Sequence, residues 1–198
     1  MNDNTENDSK LLPSIWFWNS NIRKFIPLDV LDCLDKEIQE KLEKNQFEKA
    51  RIGHDTNQRK DLEYRDTDVF MFDALHWFSG ILFNIGLASN VQAEWNFGIH
   101  SPQCLQIAIY KESHHYKWHS DWAPLTRDPN IRKISVVCML SNKEEYTGGA
   151  LEIEGVGEII LNRGDIVVFP SLISHRVQPV TSGIRKTATL WILGNRSF

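Results

Sequence analysis

From Ala93 onward the chain breaks into short β-branched and aromatic runs separated by turn signals. This rhythm constrains the fold more than any other feature. The runs are EWNFGI, CLQIAIY, ISVVCML, ALEIEG, EIIL, DIVVFP, HRVQPV and RKTATLWIL. The breaks fall at Ser101-Pro102, Asp128-Pro129-Asn130, Thr147-Gly148-Gly149, Arg163-Gly164-Asp165 and Ser182-Gly183. Glycine tolerates the backbone angles of tight turns, and proline cannot donate to a sheet ladder. Many short strands so spaced predict a sandwich or a jelly-roll barrel.

The first half has a different texture. The apolar stretch Leu11–Trp18 (LLPSIWFW) predicts a first strand. Leu28, Leu31, Leu34, Ile38 and Leu42 then recur three or four apart, which predicts a helix with Pro27 in its first turn. A second helix is expected within Ala74–Leu87, with Leu75, Phe78, Leu82 and Ile85 as its stripe and Asp73 as its N-cap. Between them HDTNQRKDLEYRD reads as a charged loop. Two helices against a β barrel make one domain over residues 11–198, with its core at about 95–198. Residues 1–10 are expected to be a disordered tail, because they hold almost nothing to bury.

Composition narrows the function without choosing it. The formal net charge of −4 offers no overall attraction to nucleic acid or to an anionic membrane surface. No apolar run reaches membrane-spanning length. The N-terminal MNDNTENDSK does not read as a secretory signal. The cysteines Cys33, Cys104 and Cys138 are odd in number and lack zinc-ligand spacing, which argues for a reducing, cytoplasmic compartment.

The chemistry concentrates in His114–Trp122, HHYKWHSDW. On a strand alternate side chains share a face, so His119 and Asp121 point together and Ser120 points away. An imidazole and a carboxylate so placed need a third ligand to hold a metal, and His175 at the head of HRVQPV is the candidate. Two histidines and one carboxylate form the facial triad of non-haem Fe(II) oxygenases, which leaves adjacent positions open. Alone, an H-x-D tripeptide is commonly accidental, and a lone histidine is usually an ordinary strand-end residue.

Arg185, ten residues beyond His175, makes the combination less accidental. It opens the strand Arg185–Leu193, in which Arg185, Thr187, Thr189 and Trp191 share one face. A buried arginine needs an anionic partner, and its planar fork suits a carboxylate. A hairpin at Ser182-Gly183 is expected to return it toward His175. His114 and His115 have no metal spacing of their own. Trp118 reads as core or rim packing, and Trp122 with the loop Ala123–Ile131 as a candidate substrate lip.

Taken in order, His119-x-Asp121, His175 and Arg185 resemble the Fe(II)/2-oxoglutarate-dependent dioxygenases. More narrowly, the chain resembles the prolyl 4-hydroxylase-like branch, including the small PKHD-type hydroxylases of bacteria and phages. That branch places tyrosines where this chain has Tyr110 and Tyr116, nine and three residues before His119. Arg132–Leu140, Tyr146–Glu152 and Gly164–Pro170 are similar too, so the resemblance covers roughly Trp95–Phe198. Where the branch has glycine three residues after the first tyrosine, this chain has Ser113, and its turn is therefore expected to differ. Lysine stands at the Arg185 position in many animal relatives, and either cation suits a carboxylate.

The resemblance implies a double-stranded β-helix, a cupin-like jelly roll that is mainly β with buttressing helices. It implies that His119, Asp121 and His175 hold Fe(II). Arg185, with Tyr110 and Thr187, would hold the far carboxylate of 2-oxoglutarate. Tyr116 would line the metal side, and Arg132 and Trp122 would meet substrate. O₂ is the oxidant, ascorbate the reductant, and succinate and CO₂ the co-products. Related halogenases lack the carboxylate, so Asp121 implies hydroxylation. The implied substrate is a prolyl residue in a peptide or protein, in the cytoplasm of a bacterium or a phage-infected host. A free amino acid or other small molecule is the rival. Nucleic-acid demethylases of this fold place another arginine six residues after the first, where this chain has Trp191. From another class, a cupin-like barrel could merely bind a metal or ligand.

Overall fold

A computed structural model of the chain describes residues 16–17, 26–52, 58–122 and 130–196. The expected tail 1–10, the segment 123–129 of the expected substrate lip and most of the expected strand Leu11–Trp18 lie outside these residues. The elements begin with β1 (Trp16–Phe17), α1 (Leu28–Glu43), β2 (Glu48–Lys49), β3 (Arg65–Asp66), β4 (Asp68–Phe72) and α2 (Trp77–Gln92). Next come β5 (Ile99–Pro102), β6 (Leu105–Tyr110), β7 (His115–His119) and β8 (Asn130–Met139). The rest are β9 (Tyr146–Gly148), β10 (Leu151–Ile153), β11 (Gly157–Ile159), β12 (Ile166–Pro170), β13 (His175–Val177), β14 (Val180–Gly183) and β15 (Arg185–Asn195).

Among the described residues one sheet runs β1-β12-β8-β15-β6-β4-β2, with β5 paired to the far end of β15. A second runs β11-β10-β13-β7-β3, and β9 pairs with β14. The central strands of the first sheet are buried on both faces, which is why they read as near-continuous apolar runs. Their two faces serve two cores. Ile134, Val136 and Cys138 of β8, Ile166 and Val168 of β12, and Ala188, Leu190 and Ile192 of β15 pack on α1 and α2. The intervening Val137, Met139, Val167 and Phe169 pack on Leu151, Ile153, Ile159 and Val177 of the second sheet. The period-two pattern thus builds a helix layer, a shared sheet and a facing sheet.

The helices depart from expectation at their starts. Pro27 is the N-cap of α1, and Leu31, Leu34 and Ile38 form its buried stripe while Leu42 is exposed. α2 begins at Trp77, three residues later than expected, and His76 rather than Asp73 caps it by accepting from the Phe78 N–H. Asp73 closes its own turn by accepting from the Leu75 N–H at 2.8 Å, which leaves Leu75 before the helix and 92% exposed. The charged loop also holds more structure than expected, because Arg65–Asp66 joins the second sheet beside β7. No helix among the described residues is long and apolar enough to cross a membrane.

Two turns position the site. Ser182-Gly183 does not form a hairpin: β14 pairs with β9, and β15 with β6 and β8, so the chain changes sheets there. Gly183 has φ +75, and a Cβ on it would lie 2.0 Å from the Glu145 carbonyl oxygen, so only glycine fits. The turn between β6 and β7 corrects the other expectation. Ser113 adopts φ 69, the conformation that favours glycine, and its N–H donates to the Val180 carbonyl at 2.8 Å. That tertiary bond holds serine where its own preference resists. Ser113→Gly is therefore expected to raise stability by roughly 0.5–1 kcal/mol in urea denaturation.

Candidate active site

The register between the sheets brings the site together. His175 on β13 is the direct cross-strand partner of His119 on β7, and their rings lie 4.2 Å apart. β7 ends at His119, so strand alternation does not orient Asp121 as expected. Asp121 stands just past the strand, where its N–H and that of Trp122 both donate to the Ser171 carbonyl at 2.9 Å. Its Oδ2 accepts from the Ser135 hydroxyl at 2.8 Å, and Ser135 in turn meets Ser171 Oγ at 2.9 Å.

The ligand atoms of His119, Asp121 and His175 all lie within 4.8 Å of one another. His119 Nδ1 meets the Lys117 carbonyl at 2.8 Å and His175 Nδ1 meets that of Ile173 at 3.1 Å. A carbonyl only accepts, so each Nδ1 carries the proton and each Nε2 lone pair is free. Both Nε2 atoms face Asp121, at 3.7 Å from Oδ1 for His119 and 3.5 Å from Oδ2 for His175. These separations are too long for hydrogen bonds, and one ion between the three groups would bridge them. Burial and the neighbouring His175 push the His119 pKa well below the ordinary value, against the pull of Asp121. Burial alone would raise the Asp121 carboxyl, but His175, His119 and Arg132 overturn this and hold it below the usual carboxylate range. A neutral imidazole and a charged carboxylate are the forms that ligate.

The cavity at the three residues is also lined by Arg185, Thr187, Thr189 and Trp191, one face of β15, together with Tyr110, Tyr116, Arg65 and Gln106. Arg185 is 1% exposed. Its Cζ stands 5.2 Å from the Tyr110 ring centroid, Tyr110 is its register partner, and Tyr146 interacts with its guanidinium. Its Nε has no hydrogen-bond partner, and among the described residues no carboxylate pairs with it. An unneutralised guanidinium at this depth is costly unless an anion arrives, so the charge of this cavity suits a dicarboxylate that also reaches the ion. Tyr116 stacks on His119 at 3.4 Å between ring centroids, and burial raises its phenol pKa. Arg132 lies in the adjoining cleft. Trp122 lines neither space. Trp118 is rim packing, with Arg176 Cζ 4.9 Å over its ring. His114 is buried against Lys49, at 3.0 Å, and takes no part in the cavity.

Comparison with known proteins now bears on this geometry. Residues 105–193 match the family model of the 2OG-Fe(II) oxygenase superfamily. The resemblance read from the sequence is thereby shown, and it is PKHD-like. A PKHD-type hydroxylase of Xylella fastidiosa (strain M12) is 38% identical over 94 residues, which cover 42% of this chain and 41% of the relative. One of Teredinibacter turnerae is 40% identical over 90 residues, covering 42% of this chain and 39% of the relative. The chain thus spans about two fifths of the length of these curated relatives. A crystal structure of a Pseudomonas putida prolyl-4-hydroxylase covers 87% of this chain and 90% of its own, at 23% identity and a TM-score of 0.67. A Trichoplax adhaerens prolyl hydroxylase, in complex with a hypoxia-inducible-factor peptide fragment, covers 87% and 82% at 16% identity and a TM-score of 0.69. The fold is the double-stranded β-helix, as expected.

Sequence reasoning missed Ser135 and Arg65. Ser135 stands inside the apolar run ISVVCML, where a small hydroxyl reads as core, and Arg65 lies in the segment read as a charged loop. Nothing in their local pattern pointed to the site. Removing the Ser135 hydroxyl frees the Asp121 carboxylate to turn. Ser135→Ala is expected to weaken binding of Mn(II) by about tenfold or more in calorimetric titration, and unchanged affinity would make that hydroxyl idle.

Proposed function

We propose that the protein is an Fe(II)- and 2-oxoglutarate-dependent dioxygenase that hydroxylates an unactivated C–H bond of a prolyl residue in a peptide or protein. One observation carries the reading: a buried two-histidine, one-carboxylate cluster shares its cavity with a buried arginine that no carboxylate of the described residues neutralises. A barrel that only held a metal would have no need of that second charge.

In this reading His119 and His175 each donate an Nε2 lone pair to the ion, and Asp121 donates a carboxylate oxygen. Ser135 and the Ser171 carbonyl keep Asp121 turned inward. Arg185 offers its planar fork to the far carboxylate of 2-oxoglutarate, with Tyr110 beneath the guanidinium and Thr187 on the same face. Tyr116 packs flat on His119 and closes one side of the site. Arg132, in the adjoining cleft, would meet the substrate, as would Trp122, which follows Asp121 in the chain. When bound, Fe(II) and 2-oxoglutarate supply an O₂-consuming oxidation that converts a C–H bond to an alcohol, with succinate and CO₂ as co-products. Ascorbate is the proposed reductant, and the cytoplasm the proposed compartment. The prolyl substrate is supported by the likeness to PKHD-type and prolyl hydroxylases.

Asp121→Ala should abolish succinate release, because one of the three ligands is gone. Arg185→Leu should raise the KM for 2-oxoglutarate by roughly two orders of magnitude, since it removes a charge-assisted bidentate contact. For the substrate, mass spectrometry of proline-containing peptides from cells with and without the protein should find an added oxygen on proline. Oxygen gained only by metabolites would overturn the prolyl assignment.

A further inference from the structure

A cleft of about 380 Å³ adjoins the metal face. It shares Arg65, Gln106, Tyr116, Asp121 and Trp191 with the cavity around the histidines, so an occupant of the cleft reaches the proposed ligands. The described wall carries Lys49, Arg51, Arg65 and Arg132 against the carboxylates of Glu48 and Asp121. Lys49 is already neutralised by Asp66 at 2.6 Å and Asp68 at 3.2 Å. Asp121 is engaged by the metal centre in the reading above. Of the three guanidiniums, Arg51 is exposed, which leaves those of Arg65 and Arg132 as the ones withdrawn from solvent.

Neither forms a close ion pair with a carboxylate of the described residues; Asp121 attracts Arg132 only at longer range. Arg65 is 9% exposed; its Nη2 donates to Gln106 Oε1 at 3.1 Å and its Nη1 to the Arg51 carbonyl at 3.4 Å. Its Cζ sits 4.5 Å over the Tyr116 ring, and its Nε finds no acceptor. Arg132 is arranged alike: its Nε donates to Gln103 Oε1 at 2.8 Å, and its Cζ lies 3.8 Å over the Trp191 ring. Amide oxygens and ring faces orient a guanidinium without cancelling its charge. A cation so oriented, withdrawn from solvent and without a close ion-pair partner is set up for an anion from outside. The two arginines also feel each other's like charge, which an anion between them would relieve.

We propose that this cleft receives a carboxylate of the substrate, bound by Arg65 and Arg132 beside the metal face. That the carboxylate belongs to a substrate rests on the dioxygenase reading; the cleft's preference for a carboxylate rests on the cleft alone. The carboxylate has two possible sources, an acidic side chain next to the target residue of a peptide or the α-carboxylate of a free amino acid.

Paired probes separate them. The full chain, loaded with Mn(II) and saturating 2-oxoglutarate so that Arg185 is engaged, is titrated calorimetrically with acetyl-Glu-Pro-Gly-amide and its Gln counterpart. The titration is repeated with L-proline and L-prolinamide. In at least one pair the carboxylate member should bind about tenfold more tightly. Preference in the peptide pair assigns an acidic side chain, and preference in the second pair an α-carboxylate. In Arg65→Gln and Arg132→Gln that ratio should collapse toward one, whereas a variant that only loosens the fold weakens both members alike. Equal binding within both pairs, or no binding of any probe, overturns the proposal. Preference in a protein that releases no succinate would leave the cleft standing and sink the dioxygenase reading. Succinate release without preference would do the reverse.

Discussion

The site depends on one cross-strand pair. His119 and His175 are neighbours because β7 and β13 run antiparallel in a register that sets them opposite each other. A slip of one residue would turn one imidazole to the other face of its sheet. The main chain then fixes each ring, with the Lys117 and Ile173 carbonyls accepting from Nδ1 and leaving Nε2 free. Asp121 is fixed differently, by hydrogen bonds from a chain that has left the strand. Two of the three proposed ligands therefore follow from sheet pairing, and the third from a tertiary contact with Ser135 and Ser171.

The sheet that carries the rest of the site is covered on both faces. Along β15, Ala188, Leu190 and Ile192 face the helices, while Arg185, Thr187, Thr189 and Trp191 face the cavity. A buried row of polar groups is expensive in a core. Here it lines the space where the proposed ion and dicarboxylate would lie. The same alternation puts Ser135 on the inner face of β8, opposite Trp191, within reach of Asp121. Fold and site thus share one device, a period-two strand whose apolar face builds the core and whose polar face builds the chemistry.

Much of this could be read before the structure, where the residues carried a period or a spacing. The strands β6, β8, β12 and β15 appeared as apolar runs because both of their faces are buried. His119, Asp121, His175 and Arg185 stood out by order and spacing. What escaped had no local signal. Ser135 is one hydroxyl in an apolar run. Arg65 is one cation in a polar stretch, and it matters only because that stretch pairs with β7 beside Tyr116. Ser113 misled by its own preference, since a bond to Val180 holds it at φ 69. Asp73 signalled a helix start but closed a turn one step earlier. For Ser135, Arg65 and Ser113 a long-range contact overrode a local rule, and for Asp73 one local signal overrode another.

The central claim is that the three clustered ligands and Arg185 act on one bound unit, a metal ion with 2-oxoglutarate attached. The most direct measurement is the anaerobic absorption spectrum of the purified protein with Fe(II) and 2-oxoglutarate. The account predicts a weak visible charge-transfer band that requires both components. No band, together with no affinity for 2-oxoglutarate, would contradict it and leave a barrel that only binds.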